Sequence, residues 1–146
     1  MTKIINVAVV GVGYLGRIHA KIYHEMETAN LVAVVDNDQA SADTVSNQYG
    51  CVAFDSVEQL LSSSIGAELD AVSIVVPTSL HLPVAKPFLE RGIHMLLEKP
   101  IAPGVEESQE IVNIAKAHKS ILQIGHLERF NAGVMRLAEM SSNPRF

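Results

Sequence analysis

The sequence predicts an α/β fold of the Rossmann type, a doubly wound parallel sheet with helices on both faces. Three observations predict it. An apolar, β-branched run, Ile4–Val10, leads straight into the spacing Gly11-x-Gly13-x-x-Gly16. A second apolar run, Leu31–Val35, ends in Asp36, twenty residues beyond Gly16. Apolar runs then alternate with helical patterns to the end of the chain. Crossovers of that length imply parallel strands with right-handed connections.

The glycines suit a strand that turns sharply into a helix. Gly11 permits the tight turn, Gly13 lets the backbone approach a pyrophosphate, and Gly16 lets the new helix pack closely on the sheet. The anion then sits at the helix N-terminus, where unpaired N–H groups and the macrodipole favour negative charge. A glycine-rich surface turn has the same spacing. Asp36, placed to accept from an adenosine ribose diol, favours a dinucleotide instead. Its carboxylate also repels a 2′-phosphate, which favours NAD over NADP. Arg17 is either a solvated first-turn residue or a phosphate contact. The cofactor set of this half is Gly11, Gly13, Tyr14, Leu15, Gly16 and Asp36.

Composition supports one folded domain: 146 residues, 48% hydrophobic and 18% charged. The net charge is -5 and no dense Lys/Arg run occurs, which argues against a nucleic-acid surface or a membrane-binding patch. No stretch reaches the length of a membrane span, and a strand pattern begins at once with no cleavable apolar leader before it. A single cysteine, Cys51, excludes an internal disulfide, suits the reducing cytoplasm, and reads as a small packed residue.

The elements follow in order. The first strand is Ile4–Val10. The helix after it covers Tyr14–Met26, with Leu15, Ile18, Ile22 and Met26 as its sheet-facing stripe. Leu31–Val35 is the second strand. Gln39–Tyr49 is the second helix, capped by Asp38 or Asp36 and stopped by Gly50. Val52–Phe54 is a short strand, and Asp55 or Ser56 starts a short helix carrying Leu60 and Leu61. Ala71–Val76 is a strand covered on both faces, and Pro77 ends it. Ser79 caps the next helix, which tolerates Pro83 in its first turn but is distorted at Pro87. Ile93–Leu97 is a strand, Gly104–His118 a helix with Ile111, Ile114 and Ala115 inward, and Ile121–Gly125 a strand. Phe130–Met140 is the last helix, broken by Ser141–Pro144.

Ligands in such sheets gather beyond the strand C-termini, near the change in strand order. Gly11–Gly16, Asp36, Pro77–His81, Glu98–Pro100 and Gly125–Asn131 should converge there. Two of these segments carry more polar chemistry than loops require. In Pro77–His81, Thr78 and Ser79 offer hydroxyls, and His81 either faces the ribose and nicotinamide or lies on the helix surface. In Glu98–Lys99–Pro100, an ammonium at a strand's end can donate to a hydroxyl or a developing oxyanion. Glu98 could orient it, and the bond before Pro100 is a candidate for cis. A solvated salt pair at a turn is the alternative.

The pieces GVGYLGRIH, VVD, VVPTSLH, GIHMLLEKP and IGHLERFN resemble the N-terminal domain of the glucose–fructose oxidoreductase/inositol dehydrogenase/rhizopine catabolism family. The resemblance covers essentially residues 3–146. It implies that Lys99 is the catalytic lysine near substrate and nicotinamide. It places Pro77, Thr78, His81 and Glu98 with the cofactor set. IGHLERFN is similar to the version in nucleotide-sugar 3-dehydrogenases, including those acting on UDP-N-acetylglucosamine or its uronate. That likeness puts Arg129 and Asn131, with Lys99, on the substrate side. A diphosphate would welcome Arg129, although a solvated helix-start arginine is equally consistent.

Family members continue into a second α+β domain, which supplies the substrate wall and an Asp/His pair assisting the lysine. The resemblance therefore implies a dinucleotide-binding core over 1–125. Residues 126–146 become an inter-domain helix and the start of the absent domain, with Asn143–Phe146 as the doorway to its first strand. The expected activity is hydride transfer between NAD and a secondary hydroxyl of a sugar or nucleotide-sugar in a longer enzyme. The chain alone is expected to bind NAD without turnover. No metal site is expected. Oligomers form through the second domain, which leaves the state of this chain open. The rivals are a non-catalytic NAD-sensing module and a dehydrogenase of cyclitols or other non-nucleotide sugars.

Overall fold

Val9 and Val10 point to opposite faces of one strand and are both buried, so the sheet is covered on two sides. The computed structural model describes residues 3–141. The strands are β1 (Ile5–Val10), β2 (Ala29–Val35), β3 (Val52–Phe54), β4 (Ala71–Ile74), β5 (His94–Leu97) and β6 (Leu122–Ile124). They form one six-stranded sheet in the order β3-β2-β1-β4-β5-β6, and every pairing is parallel. The order reverses between β1 and β4, and all the strand C-termini lie along one edge. The α/β expectation therefore holds.

One face is covered by α1 (Tyr14–Glu25) and α2 (Gln39–Tyr49), which pack Ala20, Ala42 and Val45 on Val9 and Val34. The other is covered by α3 (Val57–Ser62), α4 (Ser64–Ala67), α5 (His81–Leu89) and α6 (Val105–Ala117). There Leu60, Phe88 and Ile111 meet Ala8, Val72 and Leu97. Gly50 ends α2 in the left-handed conformation at φ 70°, and Ser56 caps α3 by accepting from the Gln59 N–H. The final helix, α7 (Ala132–Ser141), exposes every residue along its length.

The inward face of the first helix differs from the expectation. Gly16, His19 and Ala20 are the buried residues of α1, whereas Ile18, Ile22 and Met26 are 39%, 50% and 41% exposed. The reason is distance. A Cβ on Gly16 would stand 1.8 Å from the Gly11 carbonyl oxygen, so the helix lies too close for bulky side chains on that face. Its larger apolar residues fall on an open flank. Beside that flank, the α1 side of β4–β6 carries an apolar groove of about 260 Å³ lined by Tyr23, Met26, Ala71, Leu96 and Ile121.

Other boundaries shift for local reasons. Thr78–Leu80 is a 3₁₀ turn and Leu80 precedes α5, so Ser79 does not cap that helix. Pro87 does lie inside α5. Asp38 precedes α2 without a side-chain cap. The last helix starts at Ala132 because Leu127–Phe130 is a 3₁₀ turn. The doorway Asn143–Phe146, and the break at 142–144, lie outside the described residues.

Asp70 fastens the opening of β1 to the loop before β4. Its carboxylate accepts from the Lys3 ammonium and from the Asn6 N–H, the latter at 2.9 Å. The Lys3 hydrogen bond, followed by that of Asn6, holds Asp70 below the usual carboxylate range. A carboxyl with a lowered folded pKa stabilises the fold above its unfolded pKa. That contribution disappears as the pH falls through the folded value. For a surface pair screened by water it is about 1 kcal/mol or less. Urea midpoints compared at about pH 6 and about pH 3 should therefore converge for the unaltered chain and D70N in acid. Equal separation at both pH values would contradict this account.

Candidate dinucleotide site

The loop after β1 is shaped by two close approaches. Gly11 has φ 85°, and a Cβ there would lie 2.5 Å from the Val75 carbonyl oxygen; Gly16 is pressed against Gly11 itself. Both positions require glycine. Gly13 is different, because a Cβ there would meet nothing within 4 Å. The fold makes no demand for glycine at that point, and the backbone at the head of α1 is open to an approaching group.

Asp36 stands at the end of β2, held by two backbone donors. Its Oδ2 accepts from the Val12 N–H at 2.8 Å, and its Oδ1 from the Asp38 N–H at 2.9 Å. Those bonds fix the carboxylate and leave lone pairs toward the neighbouring cavity. That cavity, of about 550 Å³, is lined by Gly11, Gly13, Asp36, Val76, Pro77 and Leu80 among others. Asn37, Asp55 and Glu58 also line it and were not singled out by the sequence. Asn37 simply follows Asp36, whereas the place of Asp55 and Glu58 follows from β3 pairing beside β2, a register no local motif announces.

Arg17 is exposed yet engaged. Its Nε donates to the Val12 carbonyl at 3.0 Å and its guanidinium to Ser41 Oγ at 3.4 Å. Tyr14 is exposed at the head of α1, and Leu15 is half-buried.

The second constellation divides in two. Lys99 is exposed at the end of β5, and the Lys99–Pro100 peptide is cis. Glu98 points inward rather than to the lysine ammonium. Its Oε2 accepts from the Lys99 N–H at 3.3 Å, and its Oε1 lies 3.4 Å from His19 Nε2. The expectation that Glu98 orients the ammonium is corrected: burial turns the carboxylate under the strand ends. His81 is 1% exposed, which overturns the helix-surface reading. Its ring nitrogens each lie 3.0 Å from a carbonyl oxygen, Nδ1 from Ile101 and Nε2 from Val76. The ring braces the loops after β4 and β5, so its polar edge faces protein and not a ligand. Pro77 is exposed and lines the cavity, and Thr78 next to it is half-buried.

Toward the chain's end, Arg129 is exposed in the 3₁₀ turn after β6. Asn131 is exposed as well, but its Oδ1 accepts from the Gly133 N–H at 2.9 Å and the Val134 N–H at 3.3 Å. That oxygen caps α7. Cys51 behaves as a packed residue, since burial pushes its thiol up to about 11. Among the described residues no cluster of His, Cys, Asp or Glu could hold a metal ion. None of their helices is long and apolar enough to cross a membrane.

A doubly wound sheet with a glycine turn and a fixed acid at the next strand is the framework of an NAD-binding Rossmann domain. The chain belongs to the Gfo/Idh/MocA oxidoreductase family, whose NAD-binding Rossmann-fold model matches residues 5–126. UDP-N-acetylglucosamine 3-dehydrogenase from Acidithiobacillus ferrooxidans is 39% identical over 131 residues, 90% of this chain and 40% of that protein. The crystal structure of that enzyme aligns with a TM-score of 0.81 at 38% identity, covering 92% of this chain and 42% of the other. A scyllo-inositol dehydrogenase from Lactobacillus casei, solved with NAD(H) and scyllo-inositol, aligns with a TM-score of 0.85 at 26% identity. That alignment covers 96% of this chain and 41% of the other. The chain thus spans about 40% of the length of the curated relatives it matches.

Proposed function

We propose that this chain is the dinucleotide-binding part of a longer NAD-dependent dehydrogenase acting on a secondary hydroxyl of a sugar or nucleotide-sugar. The single observation that carries the reading is the Asp36 carboxylate, fixed by two N–H donors beside the cavity at the strand ends. A ribose diol donates to such a carboxylate. A 2′-phosphate would meet Asp36, Asp55 and Glu58 together, and like charges disfavour it. NAD is therefore preferred over NADP. Gly11, Gly13 and Gly16 would hold the pyrophosphate with the N–H groups at the head of α1, flanked by Tyr14 and Leu15. Pro77, Thr78 and Glu98 would flank the nicotinamide half.

When bound, the cofactor supplies the hydride acceptor. The chain supplies position and proton handling. Lys99, exposed at the end of β5, would bind the substrate hydroxyl and, in its neutral amine form, take up the hydroxyl proton as hydride leaves the carbon. Arg129 would face a diphosphate substrate. The similarity to the Acidithiobacillus enzyme supports UDP-N-acetylglucosamine, oxidised at the 3-hydroxyl. The inositol dehydrogenase similarity keeps a cyclitol as the second reading. In this scheme residues 1–125 form the core and 126–146 the link to a substrate domain. That domain would also carry the subunit contacts, and the reducing cytoplasm suits the lone thiol.

Calorimetry with NAD and NADP tests the cofactor half, and UDP-N-acetylglucosamine with NAD tests turnover. The unaltered chain should bind NAD, prefer it to NADP, and turn over negligibly. Asp36→Ala should weaken NAD by about tenfold or more, as expected for losing hydrogen bonds to a charged group. A folded chain with no NAD affinity, or an unchanged D36A affinity, would refute the cofactor reading. Rapid turnover by the chain alone would refute its dependence on a second domain.

A further inference from the structure

The carboxylate of Glu98 occupies an unusual slot. It is 8% exposed, and its Oε1 is fully buried without a hydrogen-bond partner among the described residues. A Cβ on Gly125 would stand 2.7 Å from that oxygen, so the carboxylate lies flat against the backbone of Gly125. An unsatisfied buried oxygen is costly. The group facing it in ion-pair range is His19 Nε2, at 3.4 Å. His19 is itself buried on the inner side of α1, and its Nδ1 lies 2.8 Å from Ser73 Oγ. Ser73, in β4, is fully buried.

We infer that His19 is a positioning residue. Its Nε2–H is the donor that holds Glu98 Oε1 beneath the strand ends and leaves Oε2 for the nicotinamide half of the dinucleotide. This rests on the functional reading above, which sets that half over β4 and β5. The direction of the bonds follows from donor counting. A neutral imidazole has one N–H. An ionised carboxylate only accepts, so the proton facing Glu98 is on Nε2, which leaves Nδ1 to accept from the Ser73 hydroxyl. Burial lowers the pKa of His19 below its ordinary value, against the opposing pull of Glu98, in keeping with a neutral ring. The contact of 3.4 Å is long, and such contacts in unliganded sites commonly tighten on binding. Tyr23, one turn along α1, also interacts with Ser73, and burial raises its phenol. The chain Ser73, His19, Glu98 thus runs from the sheet interior to the residue preceding Lys99.

The test begins with long-range nitrogen–proton NMR of the histidines in the 146-residue chain, with and without NAD. His19 is expected as the neutral Nε2–H tautomer in both states. Ser73→Ala removes the partner of Nδ1 and should leave the Nε2–H tautomer in place, because the Glu98 carboxylate still accepts from it. Calorimetry then compares NAD with 5′-AMP, which reports only the adenosine half. His19→Phe should weaken NAD by about tenfold, the size of one hydrogen bond to a charged group, and leave 5′-AMP unchanged. His19→Gln retains an N–H at the position of Nε2 and should restore most of the affinity. In an E98Q background, H19F should cost little more.

An Nδ1–H tautomer overturns the inference. So does an equal loss of NAD and 5′-AMP affinity in H19F, because the ring would then only fill space. If H19F fails to fold, the tautomer together with H19Q affinity decides the matter. If the unaltered chain binds neither nucleotide, the functional reading fails. The tautomer then still accepts or rejects the His19–Glu98 bond by itself.

Discussion

Replacing Lys99 with alanine in the longer enzyme proposed above is expected to lower turnover by about 10²- to 10⁴-fold, the usual range for a general acid–base group. NAD affinity should stay within about twofold, since the lost interaction is made with the reacting hydroxyl. Lys99 lies two residues past the end of β5, and it is exposed at the strand ends. Its backbone is held by the neighbouring Glu98 carboxylate and not by its own ammonium. Truncation should therefore disturb little else. Steady-state kinetics with NAD and a nucleotide-sugar, beside calorimetric NAD titration, separates the two quantities. A turnover within about threefold of the unaltered enzyme would remove Lys99 from the chemistry.

The second large effect is expected at Gly16. An alanine Cβ there would fall 1.8 Å from the Gly11 carbonyl oxygen, a backbone atom with no freedom to swing away. Either α1 lifts off the sheet or the turn after β1 opens. Overpacking of this kind costs about 3 kcal/mol or more, enough to threaten a domain of this size. Gly13→Ala makes the informative contrast. The same methyl group meets nothing within 4 Å there, so stability should change by less than about 1 kcal/mol. NAD affinity should nevertheless drop, because the methyl would occupy the space proposed for the pyrophosphate. Urea denaturation and NAD titration of the two variants should rank them oppositely. Gly16→Ala loses the fold, whereas Gly13→Ala loses the ligand. Equal stability in both would show that the turn is more compliant than its geometry indicates.

Much of the architecture was legible in the sequence, and the reason differs between elements. The helix over 39–49 and the strand over 52–54 were read with their observed limits. Gly50 announces a left-handed stop, and the apolar run after it is short. The buried face of α1 was misread because periodicity weighs large side chains. Ile18, Ile22 and Met26 outweigh Gly16 and Ala20 in such a pattern, yet only small residues fit where a helix nearly touches a loop. His19 was missed for a related reason. A histidine among arginine and isoleucine looks solvated until Gly16 is recognised as the contact point. The three-residue spacing from Gly16 to His19 was the available signal.

In the candidate site, the glycine turn and Asp36 could be found because they sit on one βαβ unit, at fixed spacing. Asp55 and Glu58 could not, since they reach the cavity through the lateral pairing of β2 with β3. His81 and Asn131 show the opposite failure. Both are polar residues in the right segments. His81 turns its nitrogens to two carbonyls, and Asn131 spends its side-chain oxygen on a helix terminus. Position along a chain indicates where a side chain is delivered. The nearest unsatisfied backbone group decides what it does there.

The clamp on Asp36 has a thermodynamic corollary. Its rotamer is frozen during folding, by N–H groups from the loop after β1 and the start of the next helix. Capture of a diol there carries no further side-chain ordering entropy, so the association step is preorganised. The same coupling runs in reverse. Any partner gripping that acid resists separation of β2 from the neighbouring turn, and occupancy is thereby converted into resistance to unfolding.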